Sequence, residues 1–295
     1  MKFEMVRQNL NMTEIPRADD SVTRLVLITL DSCRWDSAQS ATTPFLDSLG
    51  PLRLATAHGT FTLPAHVALF HGYFPAVIGA TDTVLSRLPQ YKRWGKTGQS
   101  ARGTVEGQNL VDGLKQDGWT TVGAAGMRWF KSANLQQGFG KFFYWGPEYL
   151  PSDGDLPSWS SEDYALAHVE ELVDAVGAAE RWLLFINAAE THAPYACTAA
   201  QLEEQRRLKR FRNAKEKLPN DDGTARLMSQ LRQAQIEAVS NVDDRLRTLF
   251  EALPRPFHYV ITADHGESFG EEGIWGHVHG AQEVLHVPLW EGLYE

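Results

Sequence analysis

Three short runs of apolar residues, each leading into an acidic residue, recur along the chain. They are RLVLITLD (24–31), RWLLFINAAE (181–190) and FHYVITAD (257–264), and all are rich in branched or aromatic residues. Runs of this length and composition predict buried strands of a parallel sheet. The segment TTVGAAG (120–126) follows NLVDGLKQDG, whose apolar residues have helical spacing, and predicts a further helix and strand.

Helical patterns occupy the stretches between these runs. SSEDYALAHVEELVDAVGAAE (160–180) and ARLMSQLRQAQIEAVSNVDDRLRTLFEAL (225–253) predict two helices. Strands that alternate with helices indicate an α/β fold with a central, mostly parallel sheet flanked by helices. Ligands of such folds bind beyond the carboxyl ends of the strands. Asp31, Glu190 and Asp264 fall at those ends.

Two polar segments interrupt this alternation. WGKTGQSARGTVEGQ (94–108) is rich in glycine and predicts a loop, either beside the active site or on the surface. EEQRRLKRFRNAKEK (203–217) is a basic run on a predicted helix. Such a run forms either a solvated helix face or a lid that attracts an anionic substrate.

Composition narrows the class of protein. The chain has 295 residues, 43% of them hydrophobic and 22% charged, and a net charge of −9. This acidic balance argues against a nucleic-acid partner, which requires clustered positive charge. The two cysteines, Cys33 and Cys197, are far apart and predict neither a disulfide framework nor a zinc ribbon. There is no apolar leader and no apolar run near the roughly 20 residues that cross a bilayer, so we expect a soluble, cytoplasmic protein without membrane contact.

The acidic strand ends supply a candidate metal site. Asp31 follows the first apolar run, and Asp264 and His265 follow the third. Carboxylate and imidazole ligands suit zinc or manganese, while magnesium or calcium would also accept the oxygen ligands. Each residue alone is equally well explained as a turn or surface residue, and it is their combination that indicates a divalent metal.

Thr62 stands in the sequence TLPAH, where a proline at the start of a helix places the threonine at or just before the helix N-terminus. A plain N-cap is the common explanation of such a threonine. The alternative is a nucleophile, because the free N–H groups of a helix N-terminus favour a bound oxyanion or phosphoryl group. A metal held by Asp31, Asp264 and His265 would lower the pKa of its hydroxyl.

Four motifs together resemble the alkaline phosphatase superfamily on its sulfatase-like branch. They are LITLDSCRWD, FTLPAHVALFHGYFP, ETHAPY and TADHGESFGEEGIWGHVHGAQEVLHVPLW, and they span about residues 24 to 290. The resemblance implies a three-layer fold, an N-terminal extension (1–23) and one catalytic domain (24–295) that lacks the usual C-terminal subdomain. It also implies one or two divalent ions, with Asp31, Thr62, Asp264 and His265 at one metal.

The same resemblance suggests roles for four further histidines. His192 of ETHAPY would protonate or stabilise the leaving oxygen, a role for which a pKa near neutrality is suitable. His66, at the arginine position of the sulfatase motif, and His277, about where sulfatases present an anion-binding lysine, are predicted to bind substrate, and His279 is predicted to bind a metal. Which of His277 and His279 acts is left open. A second metal site could instead combine the histidines of WGHVHG with Glu190 or His192. Arg34 and Asp36 are expected to brace the first loop.

Departures from the sulfatase pattern bear on the chemistry. Sulfatases carry Cys or Ser, oxidised to formylglycine, in a C/S-x-P-x-R motif, whereas this chain has Thr62 and His66 at those positions. Threonine cannot form formylglycine, and TxPxH is similar to phosphodiesterases and phosphotransferases. Ser32 stands where sulfatases have a further acidic ligand.

The expected function is therefore hydrolysis of a small anionic phosphate ester through a phospho-threonine intermediate. The alternatives are a sulfate- or phosphonate-ester hydrolase of the same fold, a phospho-alcohol transferase, and a non-catalytic binding module. A homo-oligomer is left open.

Overall fold

A seven-stranded sheet forms the centre of the protein, and two short hairpin-like pairs lie outside it. The computed structural model describes residues 22–57, 59–72, 91–94, 102–105, 109–146, 164–195, 203–205, 207–208, 211 and 216–295. In chain order the strands are β1 (Arg24–Leu30), β2 (Arg53–Thr56), β3 (Tyr91–Trp94), β4 (Arg102–Val105), β5 (Thr120–Ala125), β6 (Lys141–Tyr144), β7 (Trp182–Ala188), β8 (Phe257–Ala263), β9 (Ser268–Phe269), β10 (Trp275–Gly276) and β11 (His286–Tyr294).

The central sheet is mostly parallel. Its order is β2-β11-β8-β1-β7-β5-β6, and β8, β1, β7, β5 and β6 run parallel to one another. β11 is antiparallel to both β8 and β2. Leu30 of β1 lies in register with Ala188 of β7 and Ala263 of β8, so the chain leaves these three strands at one edge of the sheet.

Helices cover both faces of the sheet. They are α1 (Trp35–Ser40), α2 (Pro44–Leu49), α3 (Thr62–His71), α4 (Leu110–Gln116), α5 (Trp129–Ser132), α6 (Val169–Val176), α7 (Asp222–Ala252) and α8 (Gln282–Leu285), with 3₁₀ turns at Ala165–Ala167, Ala189–Thr191 and Glu271–Gly273. Side chains of α1, α2, α6 and α7 share one core cluster, and those of α3, α4 and α5 share another. This arrangement has the three layers expected from the sequence.

The alternation of side chains along β1 explains why both faces are apolar. Val26, Ile28 and Leu30 belong to the core cluster beneath α7, whereas Leu27 belongs to the cluster beneath α3. Successive residues of a strand point to opposite faces, so a strand covered on both sides must be apolar at nearly every position. Thr29 breaks this run on the α3 face, and its position becomes important at the site.

The structure confirms the predicted strands and the longer of the two predicted helices. α7 begins at Asp222 rather than at residue 225 because the Asp221 side chain accepts a hydrogen bond from the Thr224 N–H at 2.7 Å. The helix predicted over 160–180 is shorter than expected within the described residues, since α6 stops at Val176 and Gly177 follows at a positive φ of 59°. The prediction of a loop over 94–108 is wrong in part, because β4 lies inside this segment and pairs antiparallel with β3, whose last residue is Trp94.

Other sequence-based expectations fall largely outside the described residues. Residues 1–21 of the proposed extension lie outside them, and the basic run is described as helical at 203–205, 207–208 and 211. In the part of the chain that the structure covers, no helix has the length and apolarity needed to cross a membrane.

The carboxylate of Asp243 in α7 caps the first turn of α2. It accepts hydrogen bonds from the backbone N–H groups of Phe45 at 3.0 Å and Leu46 at 2.8 Å, and it is 1% exposed. Replacing Asp243 with Ala leaves both buried donors unpaired, and we expect this to lower the free energy of unfolding by about 3 kcal/mol.

Urea unfolding of Asp243→Ala and of its neighbour Asp244→Ala gives the comparison. The Asp244 side chain is 81% exposed and pairs with Arg247 at 3.8 Å, and an exposed pair of this kind contributes about 0.5 kcal/mol. Equal losses in the two variants would contradict the capping role of Asp243.

Candidate metal centre

Three buried side chains converge at the carboxyl ends of β1 and β8. Asp31 directly follows β1, and Asp264 and His265 directly follow β8. Each offers one ligand atom, and these atoms lie within 4.8 Å of one another. Because β1 and β8 are neighbours in register, the parallel sheet itself brings the three residues together.

Hydrogen bonds occupy one oxygen of Asp264 and one nitrogen of His265, and they leave the other oxygen and the other nitrogen available as metal ligands. The Nδ1 atom of His265 lies 2.8 Å from the Gly266 carbonyl oxygen; a carbonyl accepts only, so Nδ1 carries the hydrogen and Nε2 presents a lone pair in the neutral ring. One Asp264 oxygen accepts from the N–H groups of Ser32 and His265. Among the described residues, the other Asp264 oxygen and His265 Nε2 have no hydrogen-bond partner although both are buried. Orphaned oxygen and imidazole atoms of this kind fit a divalent cation.

The pKa values of the two carboxyl groups are shifted in opposite directions. Burial and the charge of Asp31 raise the pKa of Asp264 well above its ordinary value. Burial also acts on Asp31, but His192, His265 and the Asn187 hydrogen bond outweigh it and hold the pKa of Asp31 below its ordinary value. Burial, reinforced by His277, lowers the pKa of His265 to about 3. The ring is therefore neutral and available as a ligand, and only a cation would let both carboxyl groups ionise together.

Thr62 is the first residue of α3, at the helix N-terminus that the sequence predicts, and its side chain lies beside Asp31. Its hydroxyl lies 3.4 Å from Asp31 Oδ2, and the residue is 1% exposed. The chain enters the helix through Gly59, where an added Cβ would stand 2.4 Å from the Ala65 backbone nitrogen. A side chain at this position would therefore displace the first turn of α3 and Thr62 with it.

His66 lies one turn further along α3 and is fully buried. Its Nδ1 is 2.7 Å from the Thr62 carbonyl oxygen and its Nε2 is 2.9 Å from Thr29 Oγ1. Burial lowers the pKa of His66 to about 4. Both ring nitrogens of His66 are therefore hydrogen-bonded to neighbouring protein groups, and this geometry gives no support to the predicted contact between His66 and the substrate.

The other predicted histidines gather on one side of the centre. The His277 ring lies 4.4 Å from the His265 ring and 5.6 Å from the His192 ring, measured between centroids. His277 Nδ1 is 2.9 Å from Glu267 Oε2. The next residue, Val278, donates its N–H to the Thr60 carbonyl at 2.9 Å, which ties this segment to the chain just before Thr62.

Two residues proposed as ligands lie outside the three-residue group. His279 is not a member of it, so its metal role stays a prediction. The carboxyl group of Glu190 is buried near the Leu166 backbone and feels the charge of Arg245 in α7, which places it on the α7 side of the sheet. The geometry therefore gives no support to a second metal site that includes Glu190.

Hydrogen bonds of Arg34 and Gln235 stabilise the loops that carry Asp31 and Asp264. Arg34 donates to both Asp36 oxygens at 2.7 Å, to Glu271 at 2.5 Å and to the Glu267 carbonyl at 3.3 Å. These bonds support the predicted bracing role of Arg34 and Asp36. Gln235 of α7 donates to the Ser32 carbonyl at 2.8 Å and the Thr191 carbonyl at 3.2 Å, so it joins the loops after β1 and β7.

A cavity of about 590 Å³ adjoins this bracing network, but it is not the metal centre. Arg232, Phe269 and Glu271 line it, together with the first turns of α7. Asp31, Thr62, Asp264 and His265 are absent from its lining.

Sequence reasoning missed four polar residues that support the site: Thr29, Asn187, Gln235 and Glu267. Thr29 and Asn187 left a signal, since each is a polar residue inside an otherwise apolar strand. Glu267 belongs to the DHGE motif, but its contact with His277 depends on the fold of the following loop. Gln235 has no signal of this kind, because a glutamine is unremarkable on a long polar helix.

Comparison with known families agrees with this geometry. The model of the Sulfatase family matches residues 23–289. The chain belongs to the sulfatase family. This confirms the resemblance to the sulfatase-like branch of the alkaline phosphatase superfamily, whose members are enzymes that bind divalent metals. Comparison with curated proteins gives no match.

Solved structures of other members of this superfamily share the fold. The C-terminal periplasmic domain of EcEptC from Escherichia coli, in complex with zinc, has a TM-score of 0.61 at 15% identity over 93% of this chain and 74% of its own. The corresponding domain of phosphoethanolamine transferase EptC from Campylobacter jejuni gives 0.56 at 16% identity over 93% and 80%. Phosphonate monoester hydrolase of Agrobacterium radiobacter gives 0.59 at 17% identity over 91% and 68%. At these identities the likeness establishes the α/β fold.

Replacing Asp264 with Asn separates metal binding from folding in this sulfatase-family protein. The amide removes the repulsion between the two buried carboxyl groups, so we expect the metal-free variant to melt at a higher temperature than the wild type at pH 8. Zinc or manganese should raise the melting temperature of the wild type and leave that of Asp264→Asn unchanged.

Differential scanning calorimetry with and without each metal measures both effects. Asp36→Asn is the matched control, because this carboxylate pairs with Arg34 outside the group and its loss should preserve the metal-induced rise. A full metal-induced rise in Asp264→Asn would remove Asp264 from the site.

The buried carboxyl group of Glu190 should make the stability of the fold depend on pH. Burial raises its pKa from 4.5 to about 7, so between these values the folded protein binds more protons than the unfolded chain. The contribution of Glu190 to stability therefore falls as the pH rises through this window, by about 3 kcal/mol at most.

Glu190→Gln should be as stable as the wild type at pH 5 and more stable at pH 8, as measured by urea unfolding. Glu180→Gln, at an exposed position, should follow the wild type at both values. If Glu190→Gln and the wild type lose stability in parallel, Glu190 is not the titrating group.

Proposed function

We propose that the protein is a metal-dependent hydrolase of phosphate esters, acting on a phosphomonoester or phosphodiester through a phospho-threonine intermediate. The observation that carries the proposal is the position of the Thr62 hydroxyl, 3.4 Å from Asp31 Oδ2 at the N-terminus of α3. A threonine there keeps its hydroxyl as the nucleophile, whereas formylglycine chemistry requires Cys or Ser.

The side chains around Thr62 have complementary tasks. A divalent ion held by Asp31, Asp264 and His265 would lower the pKa of the Thr62 hydroxyl and neutralise charge on the phosphoryl oxygens. As Thr62 Oγ1 forms its bond to phosphorus and the bond to the ester oxygen breaks, Asp31 Oδ2 is close enough to accept the proton of the Thr62 hydroxyl. His192 or His277 supplies a proton to that leaving oxygen. Water then hydrolyses the phospho-threonine and restores the hydroxyl.

A phospho-alcohol transferase is the second candidate. The Campylobacter jejuni structure with this fold is named a phosphoethanolamine transferase. A transferase would also use Thr62 as the nucleophile, but the phosphorus bound to Thr62 would keep its alcohol group until the acceptor displaces the threonine. The two reactions differ in the acceptor, so product analysis with and without an added alcohol distinguishes them. The cytoplasmic location and the homo-oligomer stay predictions of the sequence.

Thr62→Ala should abolish turnover while retaining the fold. Loss of a nucleophile costs roughly 10⁴-fold or more in kcat, measured with p-nitrophenyl phosphate, its bis-ester, a p-nitrophenyl phosphonate and p-nitrophenyl sulfate in the presence of zinc or manganese. Thr60→Ala, at a buried position two residues earlier whose backbone carbonyl is retained, should keep most of the activity.

Acid-quenched wild-type enzyme should contain phosphorylated Thr62, detectable by peptide mass spectrometry, and the Ala variant should not. Preference for the sulfate would contradict the proposal in favour of a sulfate-ester hydrolase. An unchanged turnover in Thr62→Ala would exclude Thr62 as the nucleophile. An unchanged cellular role in this variant would favour the non-catalytic binding module.

A further inference from the structure

Three buried polar side chains lie directly beneath the metal centre: Thr29, His66 and Asn187. Each is 0% exposed. The surroundings are aromatic, since the His66 ring contacts the rings of Phe130 and Phe185 at 4.9 and 5.7 Å between centroids. Polar groups in such a place destabilise the fold unless they are hydrogen-bonded, so their partners are informative.

The partners fix the direction of every hydrogen bond in this group. The Thr62 carbonyl only accepts, so His66 Nδ1 donates to it. In the neutral ring Nε2 then accepts from the Thr29 hydroxyl at 2.9 Å. Thr29 Oγ1 in turn accepts from Asn187 Nδ2 at 3.2 Å.

The second N–H of Asn187 completes the connection to the metal centre. It donates to Asp31 Oδ2 at 3.0 Å, the same oxygen that accepts from the Thr62 hydroxyl at 3.4 Å. Asp31 is an acceptor only, which settles the orientation of the Asn187 amide. The result is a closed circuit that runs from the Thr62 carbonyl through His66, Thr29, Asn187 and Asp31 back to the Thr62 hydroxyl.

We propose that this buried circuit is a positioning device in which His66 fixes the nucleophile and Asn187 fixes the carboxylate, without contact between His66 and the substrate. The His66 ring holds the backbone of Thr62 by donating to the Thr62 carbonyl. Thr29 bonds to both the His66 ring and the Asn187 amide, so the position of the ring helps to fix that of the amide. The proposal deepens the proposed function, since it rests on Thr62 as the nucleophile and Asp31 as a metal ligand.

The circuit also assigns different tasks to the two oxygens of Asp31. Oδ2 accepts from Asn187 and Thr62, whereas Oδ1 accepts a long hydrogen bond from the Ser32 hydroxyl at 3.5 Å and lies 3.8 Å from His265 Nε2, a predicted metal-ligand atom. Partners that orient a ligand in this way typically change metal affinity or activity by about 10- to 100-fold when they are removed. The circuit should therefore influence metal binding as well as turnover.

The test uses Thr29→Val, His66→Phe and the double variant in the full chain. Valine preserves the shape of threonine, and phenylalanine suits the aromatic surroundings of His66. Thr262→Val is the matched control, because Thr262 occupies the same register on β8 but donates to the Pro288 carbonyl at 2.7 Å, outside the circuit.

We expect each single variant to lower zinc affinity, measured by titration calorimetry, and kcat by about 10- to 100-fold, with KM changed by less than about threefold. The double variant should be no worse than the more damaged single variant, since both break one circuit. His66→Asn, which can place an N–H near the Nδ1 position, should recover part of the lost kcat. Thr262→Val should match the wild type.

Three results would overturn the proposal. The first is a raised KM with unchanged kcat in His66→Phe, which would make His66 a substrate contact. The second is a loss of kcat in the double variant equal to the product of the two single losses. The third is a loss of zinc affinity in Thr262→Val as large as that in Thr29→Val. If His66→Phe does not fold, Thr29→Val combined with Asn187→Leu supplies the same test of additivity. Zinc affinity reports on the circuit even if no phosphate ester is hydrolysed, so failure of the proposed function is distinguished from failure of the circuit.

Discussion

The burial of two carboxyl groups at the ends of neighbouring strands is the constraint on which the site depends. Asp31 and Asp264 are 0% and 5% exposed, and like charges this close in a poorly solvated space cannot both ionise without a compensating positive charge. Backbone N–H groups and an amide satisfy part of this need. The other Asp264 oxygen and His265 Nε2, buried and without a hydrogen-bond partner among the described residues, fit a site that could hold a cation.

The sheet and the long helix α7 share the work of holding these groups. The parallel register of β1, β7 and β8 aligns the chain exits, and side chains of α7 reach across to fix the loops that follow. Gln235 joins two of these loops, and Asp243 caps α2, which packs on the same face of the sheet as α7. Long polar side chains on the buried face of α7 therefore act as connectors, which explains why the helix carries them among its apolar positions.

The fold was largely predictable from the sequence because its signals are local. Three apolar runs that form strands lead into an acidic residue at the carboxyl end of the sheet. The family motifs together predict that Asp31, Thr62, Asp264 and His265 form one site. The role of His66 was not predictable in this way. Its partner Thr29 lies 37 residues away along the chain, and Asn187 is brought beside Thr29 only by the pairing of β1 with β7. The strand β4 (Arg102–Val105) was missed because the glycine-rich, polar composition of residues 94–108 resembles that of a loop.

The sequence distance between the ligands also determines when the centre can form. Asp264 bonds to the N–H of Ser32, which is 232 residues away along the chain, and the two strands involved meet in the middle of the sheet. Pairing over such a separation is slow and follows the formation of local structure. An ion therefore cannot serve as an early template for folding, because its ligands are assembled only when β8 docks beside β1. Metal uptake would then report the last stages of sheet assembly, and a chain synthesised only as far as α7 would lack two of the three ligand side chains.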